Sequence, residues 1–436
     1  MLRPAASWGR WPRYEPSAIF EPSNRFAALP ATISGSMLAY GNGRSYGDVC
    51  LNQGGALLHT RHLDRFISFD TKSGILECEA GVLISEIIEV ALPQGWFPPV
   101  TPGTSFVTVG GAIANDVHGK NHHRAGCFSH HVLEFGLRRS DGTQLRCSQA
   151  ENSQWFRATV GGLGLTGLVT DARLQLRRVC GPWVRGDSRR FANLPEFFAL
   201  SKASDGDYEY TVAWIDCGAR GIHLGRGIFM RGNHAADEKT EPKRTTWRVP
   251  ATPPISLVNG LSLNLFNQLY YRRRGASQDD ALWHYRPFLY PLDGILEWNK
   301  IYGPRGFFQY QCVVPEENAL PSLRQMLQCI SDSGVGSFLT VLKNFGSIPS
   351  LGLLSFVRAG TTFAIDFPNR GEPTLRLLES LDQITRSAGG AVYPAKDARM
   401  SAAAFQAYFP AWQEFAKYVD PNFSSSFWRR VTGSML

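Results

Sequence analysis

The sequence predicts an α+β fold in two domains, and three observations support this prediction. Short strand-like runs broken by glycine and Asp/Asn turns fill residues 38–179, with one helical pattern among them. After about residue 180 the glycine clusters become rarer, and longer alternating runs stand beside helical ones. A chain of 436 residues also exceeds one ordinary domain of roughly 100–200 residues. Strands and helices that do not alternate regularly are typical of α+β proteins.

The individual elements follow from the spacing of the apolar residues. The first part predicts strands at 56–59, 66–69, 75–79 and 168–176, and a helix at 85–92 that stops before a proline. The second part predicts strands at 208–215 and 306–314, and helices at 319–333, 374–388 and 401–418. Residues 239–254 and 271–281 are polar, charged or proline-bearing, which predicts loops.

The charge of the chain is mildly basic, with 45 Lys and Arg against 37 Asp and Glu. This excess favours an anionic ligand or an anionic membrane surface. The densest basic run is Arg272, Arg273 and Arg274, and three such residues are typical of a solvated surface. Because no basic tract with interleaved aromatic residues exists, we expect no nucleic-acid partner.

The cysteine spacing and the lengths of the apolar runs indicate the cellular compartment of the protein. None of the eight cysteines forms a CxxC pair, which argues against a zinc ribbon or a thioredoxin-type motif. The first residues lack the apolar core of a signal peptide, and no run of 18 apolar residues occurs. We therefore expect a cytoplasmic protein, with peripheral contact at the inner membrane face as an option.

Three glycine clusters are the first candidates for ligand binding. Turns without side chains let backbone N–H groups point at one anion, which is what holding a pyrophosphate requires. Each cluster taken singly is also compatible with a tight turn. The first consists of Gly41, Asn42, Gly43, Arg44, Ser45, Tyr46, Gly47 and Asp48. The second includes Gly103, Thr108, Val109, Gly110, Gly111, Asn115, Asp116, Val117 and His118.

The third cluster contains a literal GxGxxG in Gly162, Gly164 and Gly167. A dinucleotide-binding motif of the Rossmann type needs a strand before it and a helix after it. Here a strand-like run, residues 168–176, follows instead. We therefore do not interpret this motif as an NAD site.

A dense polar cluster follows the second glycine cluster, in residues 118–123. His118 and His122 have the i, i+4 spacing of a helical metal chelate, but Gly119 and Asn121 between them weaken a helix. Packing of these histidines in the core or at the surface is a second alternative. A site beside a bound ligand is the interpretation we favour, and we predict no metal.

Polar residues on apolar strands form the last group of candidates. Gln309 and Gln311 alternate on a predicted strand, so both face one side, which is either a ligand or solvent. Lys343 has the same two interpretations. Lys396 follows another strand end, with Tyr393 three residues earlier, and it could present an ammonium group to an anion or to water.

Taken in order, the glycine clusters resemble the FAD-binding domain of the vanillyl-alcohol-oxidase-type flavoproteins, also called the PCMH type. From about Trp8 onward the chain resembles the decaprenylphosphoryl-β-D-ribose oxidase family. That family carries GRSYGD, HGKNHH, EWNRxYGPxGFLQYQ, VLKRFG and YTAKDSR. The corresponding residues here are 43–48, 118–123, 297–311, 341–346 and 393–399.

The resemblance implies how the cofactor is held. Many relatives attach FAD to a histidine in the first loop, whereas this loop offers Ser45 and Tyr46, so we expect non-covalent FAD. Residues of the first two clusters, together with Val169 and Tyr393, would line it. Lys396 would lie near the flavin and the substrate hydroxyl as the base or as the group that orients it, and His118 or Tyr46 could share that role. The implied substrate side consists of Lys120, Gln309, Gln311, Lys343, Thr362, Ala364 and Lys396.

Two departures from the family pattern concern cysteines. Ala364 stands where the family has the cysteine of its NICVDFP stretch, and Thr362 stands where that stretch has asparagine. Asn115 replaces a family cysteine in the second loop. A thiol-directed inhibitor of the family should therefore fail here.

The resemblance also implies domains and a reaction. We expect a PCMH-type FAD-binding domain at 1–182, a substrate domain of antiparallel sheet and helices at 183–389, and a segment at 390–436 that returns to the first domain. The implied reaction oxidises a secondary hydroxyl of a polyprenyl-phosphate-linked pentofuranose to a keto-sugar. A separate reductase of the short-chain dehydrogenase type would complete an epimerisation. The alternatives are an aldonolactone or alditol oxidase that uses oxygen, and a non-enzymatic FAD-containing binding module.

Overall fold

A small parallel sheet begins the fold. The computed structural model describes residues 5–30, 35–237, 242, 245–273 and 277–433. The strand Ala56–His59 pairs in parallel with Met37–Tyr40 on one side and with Ala18–Phe20 on the other. Leu38 and Leu57 are fully buried, so this sheet anchors the chain directly before the first glycine cluster.

A five-stranded antiparallel sheet forms the second layer of the N-terminal part. The side chains of Phe135 and Leu174 share one buried cluster with Ile84 and Ile87, which lie on the inner face of a covering helix. In order across the sheet, the strands are Phe66–Asp70, Ile75–Glu79, Leu168–Gln175, Val132–Arg138 and Gln144–Ser148. The accompanying helices are Ile84–Ala91, Val109–Ala114, His122–Ala125 and Ser153–Thr159.

An eight-stranded antiparallel sheet is built from residues 183–392. Its strands, in order across the sheet, are Gln278–His284, Trp183–Phe191, Gly227–Ala235, Tyr210–Ile215, Thr340–Phe345, Gly360–Pro368, Phe307–Val314 and Ala391–Val392. The helices of this part are Leu194–Ser204, Gly260–Arg272, Tyr285–Leu289, Glu316–Ser333 and Glu372–Ser387. Two further two-stranded pairs join Trp96–Phe97 to Arg177–Arg178 and Trp247–Arg248 to Ile295–Leu296.

The two faces of the large sheet differ in chemistry because side chains alternate along each strand. Phe363, Ile365 and Phe367 point to one face, where they share a buried cluster with leucines of the helices Glu316–Ser333 and Glu372–Ser387. The intervening residues of the same strand, Thr362, Ala364 and Asp366, point to the other face. The helices therefore cover the apolar face, and the opposite face carries polar groups.

The C-terminal segment returns to the first sheet. Its helices are Ala402–Tyr408, Trp412–Ala416 and Ser426–Thr432. The backbone N–H of Met37 donates to the carbonyl of Asn422 over 2.7 Å, and that of Ser426 donates to Leu51 over 2.8 Å. The last helix therefore packs beside the first glycine cluster.

The structure confirms the α+β class and most of the predicted elements, with two corrections. The predicted loop 271–281 is too long at both ends, because a helix ends at Arg272 and a strand begins at Gln278; its residues 274–276 lie outside the described residues. The predicted helix 401–418 is interrupted after Tyr408, because Pro410 cannot continue it. Residues 239–241 and 243–244 of the predicted loop 239–254 lie outside the described residues, and Trp247–Arg248 within it is a strand.

Two other points concern domains and membranes. The division of the chain at residues 182 and 389 stays a prediction. Within the described part of the chain, no helix is long and apolar enough to cross a bilayer.

Candidate active site

The polar face of the large sheet gathers most of the predicted substrate-side residues, and strand register is the reason. Gln309 stands opposite Asp366, and Gln311 stands opposite Ala364. The strand Gly360–Pro368 pairs on its other side with Thr340–Phe345, where Lys343 stands opposite Thr362. Directly opposed residues point to the same face. The structure thus brings residues far apart in sequence onto one surface.

His118 is held over this surface by contacts at both ring nitrogens. Its Nε2 lies 3.0 Å from the amide nitrogen of Gln311, and its Nδ1 lies 3.3 Å from Nζ of Lys343. The ring packs edge-on against Phe345 at 4.7 Å between centroids. Burial and the neighbouring Lys343 hold the pKa of His118 well below its ordinary value. The ring is therefore neutral at physiological pH.

Lys396 lies over the ring of Tyr46, with Nζ 4.0 Å from the ring centroid. Burial lowers the pKa of Lys396 to about 8, against the opposing effect of Asp366. Tyr46 is fixed by its backbone N–H, which donates to the carbonyl of Ala395 over 2.8 Å. The structure thus joins the first glycine cluster to the predicted catalytic lysine.

Asp366 is a site residue that sequence reasoning missed. Its side chain is fully buried, and Nε2 of Gln309 donates to its Oδ1 over 2.6 Å. The hydroxyl of Tyr302 lies 3.5 Å from Oδ2. Burial raises the pKa of Asp366 to about 7, which the bond from Gln309 and the charge of Lys396 partly oppose. The available signal was its position two residues after Ala364, on the same face of an apolar strand.

Three lysines face this site, and each has a depressed pKa. Burial lowers the pKa of Lys120 to about 7. Burial also lowers the pKa of Lys343 to about 7, and repulsion from Lys120 and Lys396 adds to this effect. Lys120 donates to the carbonyl of Phe288. Cations that repel one another in a confined space are stabilised by an anion, so this arrangement suits a phosphate.

The first glycine cluster is packed too tightly for side chains. A Cβ on Gly41 would lie 2.5 Å from Oγ1 of Thr108, and a Cβ on Gly47 would lie 1.6 Å from the carbonyl oxygen of Asp397. Gly43 has a positive φ of 60°, which glycine adopts at low cost. These glycines bring the backbone against the second cluster and the C-terminal segment.

The second glycine cluster provides the features that fit a bound cofactor. Thr108 caps the helix Val109–Ala114, since its Oγ1 accepts from the N–H of Gly111 over 3.1 Å. A Cβ on Gly103 would meet no atom within 4 Å. The side-chain oxygen Oδ1 of Asn115 is buried and has no hydrogen-bond partner among the described residues. An open backbone approach and an unsatisfied buried oxygen both fit a ligand with polar groups, such as FAD.

Tyr393 reaches this cluster from the far end of the chain, and its contact with the flavin stays a prediction. Its hydroxyl donates to the carbonyl of Asn115 over 2.8 Å. Its ring stacks on Phe356 at 4.6 Å and lies 5.8 Å from the ring of His118. The residue therefore stands between the second cluster and the polar face of the sheet.

Other predicted cofactor residues contact protein groups. Asp48 forms a bidentate pair with Arg430, at 2.6 and 3.0 Å. Asp116 accepts from the Ser129 N–H at 3.2 Å and from the Ser355 hydroxyl at 2.6 Å. Asn42 donates to the carbonyl of Phe106 over 2.7 Å. Arg44 stacks on Trp8, and Val117 and Val169 are buried. Direct contact of these residues, and of Ser45, with FAD stays a prediction.

The third glycine cluster supports the second one. The N–H of Gly161 donates to Ile113 over 3.0 Å, and that of Leu163 donates to Ala114 over 2.8 Å. A strand follows this cluster, Leu168–Gln175, as predicted. Its function in the described structure is to brace the helix Val109–Ala114.

The possible chelate of His118 and His122 has no helix to support it. The short helix begins at His122 and Asn121 precedes it as the N-cap, so His118 lies outside. Nδ1 of His122 accepts from the N–H of Gly346 over 3.2 Å. Among the residues the structure describes, no group of three or more His, Cys, Asp or Glu could hold a metal ion.

Glycine-lined loops that meet a polar sheet face, with a buried lysine between them, define the class of an FAD-dependent oxidoreductase. A family model described as an FAD binding domain matches residues 33–148 and confirms the cofactor and the PCMH-type fold. The chain is 35% identical over 412 residues to decaprenylphosphoryl-β-D-ribose oxidase of Mycolicibacterium smegmatis, which covers 91% of this chain and 89% of that relative. It therefore belongs to the decaprenylphosphoryl-β-D-ribose oxidase family.

Two other relatives extend the comparison. An uncharacterized protein in the mprA 5′ region of Streptomyces coelicolor is 33% identical over 80% of this chain and all of its own length. L-gulonolactone oxidase of Mus musculus is 27% identical over 37% of this chain and 36% of its own length. The second likeness covers about a third of the chain.

Proposed function

We propose that this enzyme oxidises a secondary hydroxyl of a polyprenyl-phosphate-linked pentofuranose to a keto-sugar. The single observation that carries the proposal is the group of Lys120, Lys343 and Lys396 around the polar sheet face, next to the FAD-binding loops. The name of the Mycolicibacterium relative, a decaprenylphosphoryl-ribose oxidase, supports a lipid-linked phospho-sugar as the substrate class.

The residues that would hold FAD come from the first two glycine clusters, Val169 and Tyr393, without a covalent bond. When bound, FAD supplies the acceptor for the hydride of the sugar carbinol. Nζ of Lys396 takes the hydroxyl proton, because a pKa of about 8 leaves a useful fraction as neutral amine near neutral pH. The resulting ammonium remains close to Asp366, which stabilises it. His118 and Tyr46 complete the wall on either side of the hydroxyl.

Recognition of the sugar is assigned to the remaining polar groups. Lys120 and Lys343 bind the phosphate, since an anion would offset both the burial and the repulsion that lower the pKa of Lys343. Gln311 and Thr362, which share a 3.2 Å hydrogen bond, face the sugar hydroxyls. Ala364 leaves space between Gln311 and Val341, its neighbours in strand register.

The product and the location complete the proposal. A keto-sugar is the oxidised half of an epimerisation, and a separate reductase of the short-chain dehydrogenase type would reduce it from the other face. We place the enzyme in the cytoplasm, in peripheral contact with the inner membrane face. The charge excess of 8 is consistent with an anionic substrate or surface.

Two measurements test the proposal. The purified protein should be yellow, and acid denaturation should release the flavin; flavin that stays on the denatured chain contradicts non-covalent binding. Anaerobic bleaching of the flavin should follow addition of a polyprenyl-phospho-pentose. Bleaching by none of a panel of lipid-linked and free sugars would instead favour a non-enzymatic binding module.

An aldonolactone or alditol oxidase that uses oxygen is the second candidate, and the likeness to L-gulonolactone oxidase favours it. Peroxide that forms in step with an added aldonolactone or alditol would support this function. Bleaching by the phospho-sugar without peroxide would support the first.

A further inference from the structure

The helix Gly260–Arg272 exposes three of its four leucines, while Leu263 is buried in the core. Leu261, Leu265 and Leu269 are 83%, 61% and 64% exposed, although they recur at the spacing of one helix face. Asn267, by contrast, is buried on the inner side. A globular surface helix normally buries its leucines and exposes its amides. We call the three leucines the outer leucine face.

Contacts on the inner side of this helix fix its orientation. Nδ2 of Asn267 donates to Oδ1 of Asp216 over 2.8 Å, and Arg226 pairs with the other oxygen of that carboxylate at 2.7 and 3.0 Å. Tyr270 packs on Trp214 at 4.7 Å between ring centroids. Turning the leucines inward would break a buried charge network. The outward direction of the leucines is therefore a property of the fold.

The segment before the helix continues the apolar surface. Ile255 and Leu257 are 72% and 51% exposed. The N–H of Leu257 donates to the carbonyl of Ile301 over 2.9 Å, which keeps this stretch ordered. Exposed apolar groups in such numbers are uncommon on a monomer unless they have a partner.

The stretch of sequence that contains this surface carries charge of one sign. Residues 242–278 contain six Lys or Arg and no Asp or Glu, whereas the whole chain has 37 acidic residues. The basic residues stand before and after the apolar stretch, at positions 243, 244, 248 and 272–274. Within the described part, Arg272 and Arg273 are exposed at the end of the helix. An apolar face with basic ends complements a bilayer that carries anionic headgroups.

We propose that the helix Gly260–Arg272 is the membrane-docking surface of this protein, and that it lies flat on an anionic bilayer. The outer leucine face enters the acyl boundary, while the arginines at its end contact lipid phosphates. Val258, directly before the helix cap, is buried in one cluster with Tyr46 and Tyr302. Docking through this helix therefore places the catalytic side of the molecule next to the lipid. The proposal stands on the surface alone and not on the identity of the sugar.

Vesicle co-sedimentation of the FAD-loaded protein tests the proposal. The wild-type protein should partition onto phosphatidylglycerol/phosphatidylcholine vesicles and much less onto pure phosphatidylcholine. The double variant Leu261→Gln/Leu265→Gln should lower the partition coefficient about tenfold, because the apolar contribution is removed. Arg272→Gln/Arg273→Gln should lower binding to the anionic vesicles by a similar factor and weaken its salt dependence.

The matched control is Phe26→Gln/Val90→Gln, which removes two exposed apolar side chains from the N-terminal part. It should partition like the wild type. Equal partitioning of the leucine variant and the wild type would overturn the proposal. So would a wild-type dimer in gel filtration that the leucine variant converts to monomer, because the face would then bind a second copy. Flavin absorbance checks that each variant is folded.

Discussion

Nε2 of Gln309 donates a 2.6 Å hydrogen bond to Oδ1 of Asp366, across two neighbouring strands of the large sheet. This pair fixes a buried carboxyl group next to the predicted catalytic lysine. The carboxylate raises the pKa of Lys396, while burial lowers it. Asp366 thereby opposes the effect of burial on the pH range in which Lys396 can accept a proton.

The first prediction concerns Asp366→Asn. Without the carboxylate, the pKa of Lys396 should fall below about 8, and the rising limb of kcat/KM against pH should move to lower pH. A rate profile from about pH 5 to 10 brackets the ordinary titration range and measures this shift. A limb that stays in place would contradict the electrostatic coupling.

Stability gives an independent test of Asp366. Its pKa is raised to about 7 in the folded protein, so between its ordinary value and pH 7 the folded state binds more protons than the unfolded state. Its contribution to the free energy of unfolding therefore decreases as pH rises through this window. Denaturant unfolding at about pH 5 and 8 should show a smaller decrease in Asp366→Asn than in the wild type.

The second prediction concerns Lys396→Ala. The variant should keep its FAD and lose about 10²- to 10⁴-fold in kcat, the usual range for loss of a positioned base. In the wild type, kcat/KM should rise towards about pH 8 as the neutral amine forms. Lys417→Ala, which removes an exposed cation of the C-terminal segment, is the control. Normal turnover of Lys396→Ala would refute the catalytic role.

The third prediction compares two glycines. Gly47→Ala should cost about 3 kcal/mol and release flavin, because its Cβ would collide with the Asp397 carbonyl. Gly103→Ala meets no protein atom, so thermal stability without flavin should not change. If FAD passes beside Gly103, its dissociation constant should still rise, which flavin fluorescence titration measures. An unchanged affinity would remove Gly103 from the cofactor site.

The fourth prediction concerns Arg430→Gln. The variant leaves Asp48 without its bidentate partner, and Asp48 is fully buried. We expect a loss of about 1–3 kcal/mol in the free energy of unfolding, since a buried carboxylate loses its counter-charge. Thermal unfolding followed by flavin release measures the effect. If Arg430→Gln changed the free energy of unfolding no more than Lys417→Ala does, the Arg430–Asp48 pair would contribute nothing to stability.

The fifth prediction concerns Ala364, which stands where the family has a cysteine. The wild-type protein should not be labelled at position 364 by a thiol-directed reagent, whereas Ala364→Cys should be labelled there. Peptide mapping by mass spectrometry measures this, with the exposed Cys180 as an internal positive control. Protection of the introduced thiol by substrate would place the sugar on the polar sheet face.

Part of the site was predictable because local periodicity decides it. The alternation of Gln309 and Gln311 was enough to put both on one face, and the structure shows that face covered by His118. Asp366 was not predicted, because its alternation with Ala364 gives the face of the strand and not the partners on that face. Its place in the site depends on the register with Gln309, which only tertiary structure sets.

Contacts between residues far apart in sequence explain what else sequence reasoning did not predict. Asp48 and Asp116 belong to loops that suggested cofactor contacts, yet their partners Arg430 and Ser355 lie 382 and 239 positions away. The helix Gly260–Arg272 was not predicted. Its inward side combines Leu263 with Asn267, which bonds to Asp216, while the other leucines point outward. Sequence periodicity carries no information about such contacts.

The closure of the first glycine cluster has a consequence for biosynthesis. Tyr46 is held by Ala395, and Asp48 is held by Arg430, so the loop is locked by residues translated far later. On the ribosome, residues 41–48 emerge long before these partners exist. The nascent chain therefore cannot close this loop until Arg430 has left the exit tunnel, and any ligand that needs the closed loop must wait for that moment.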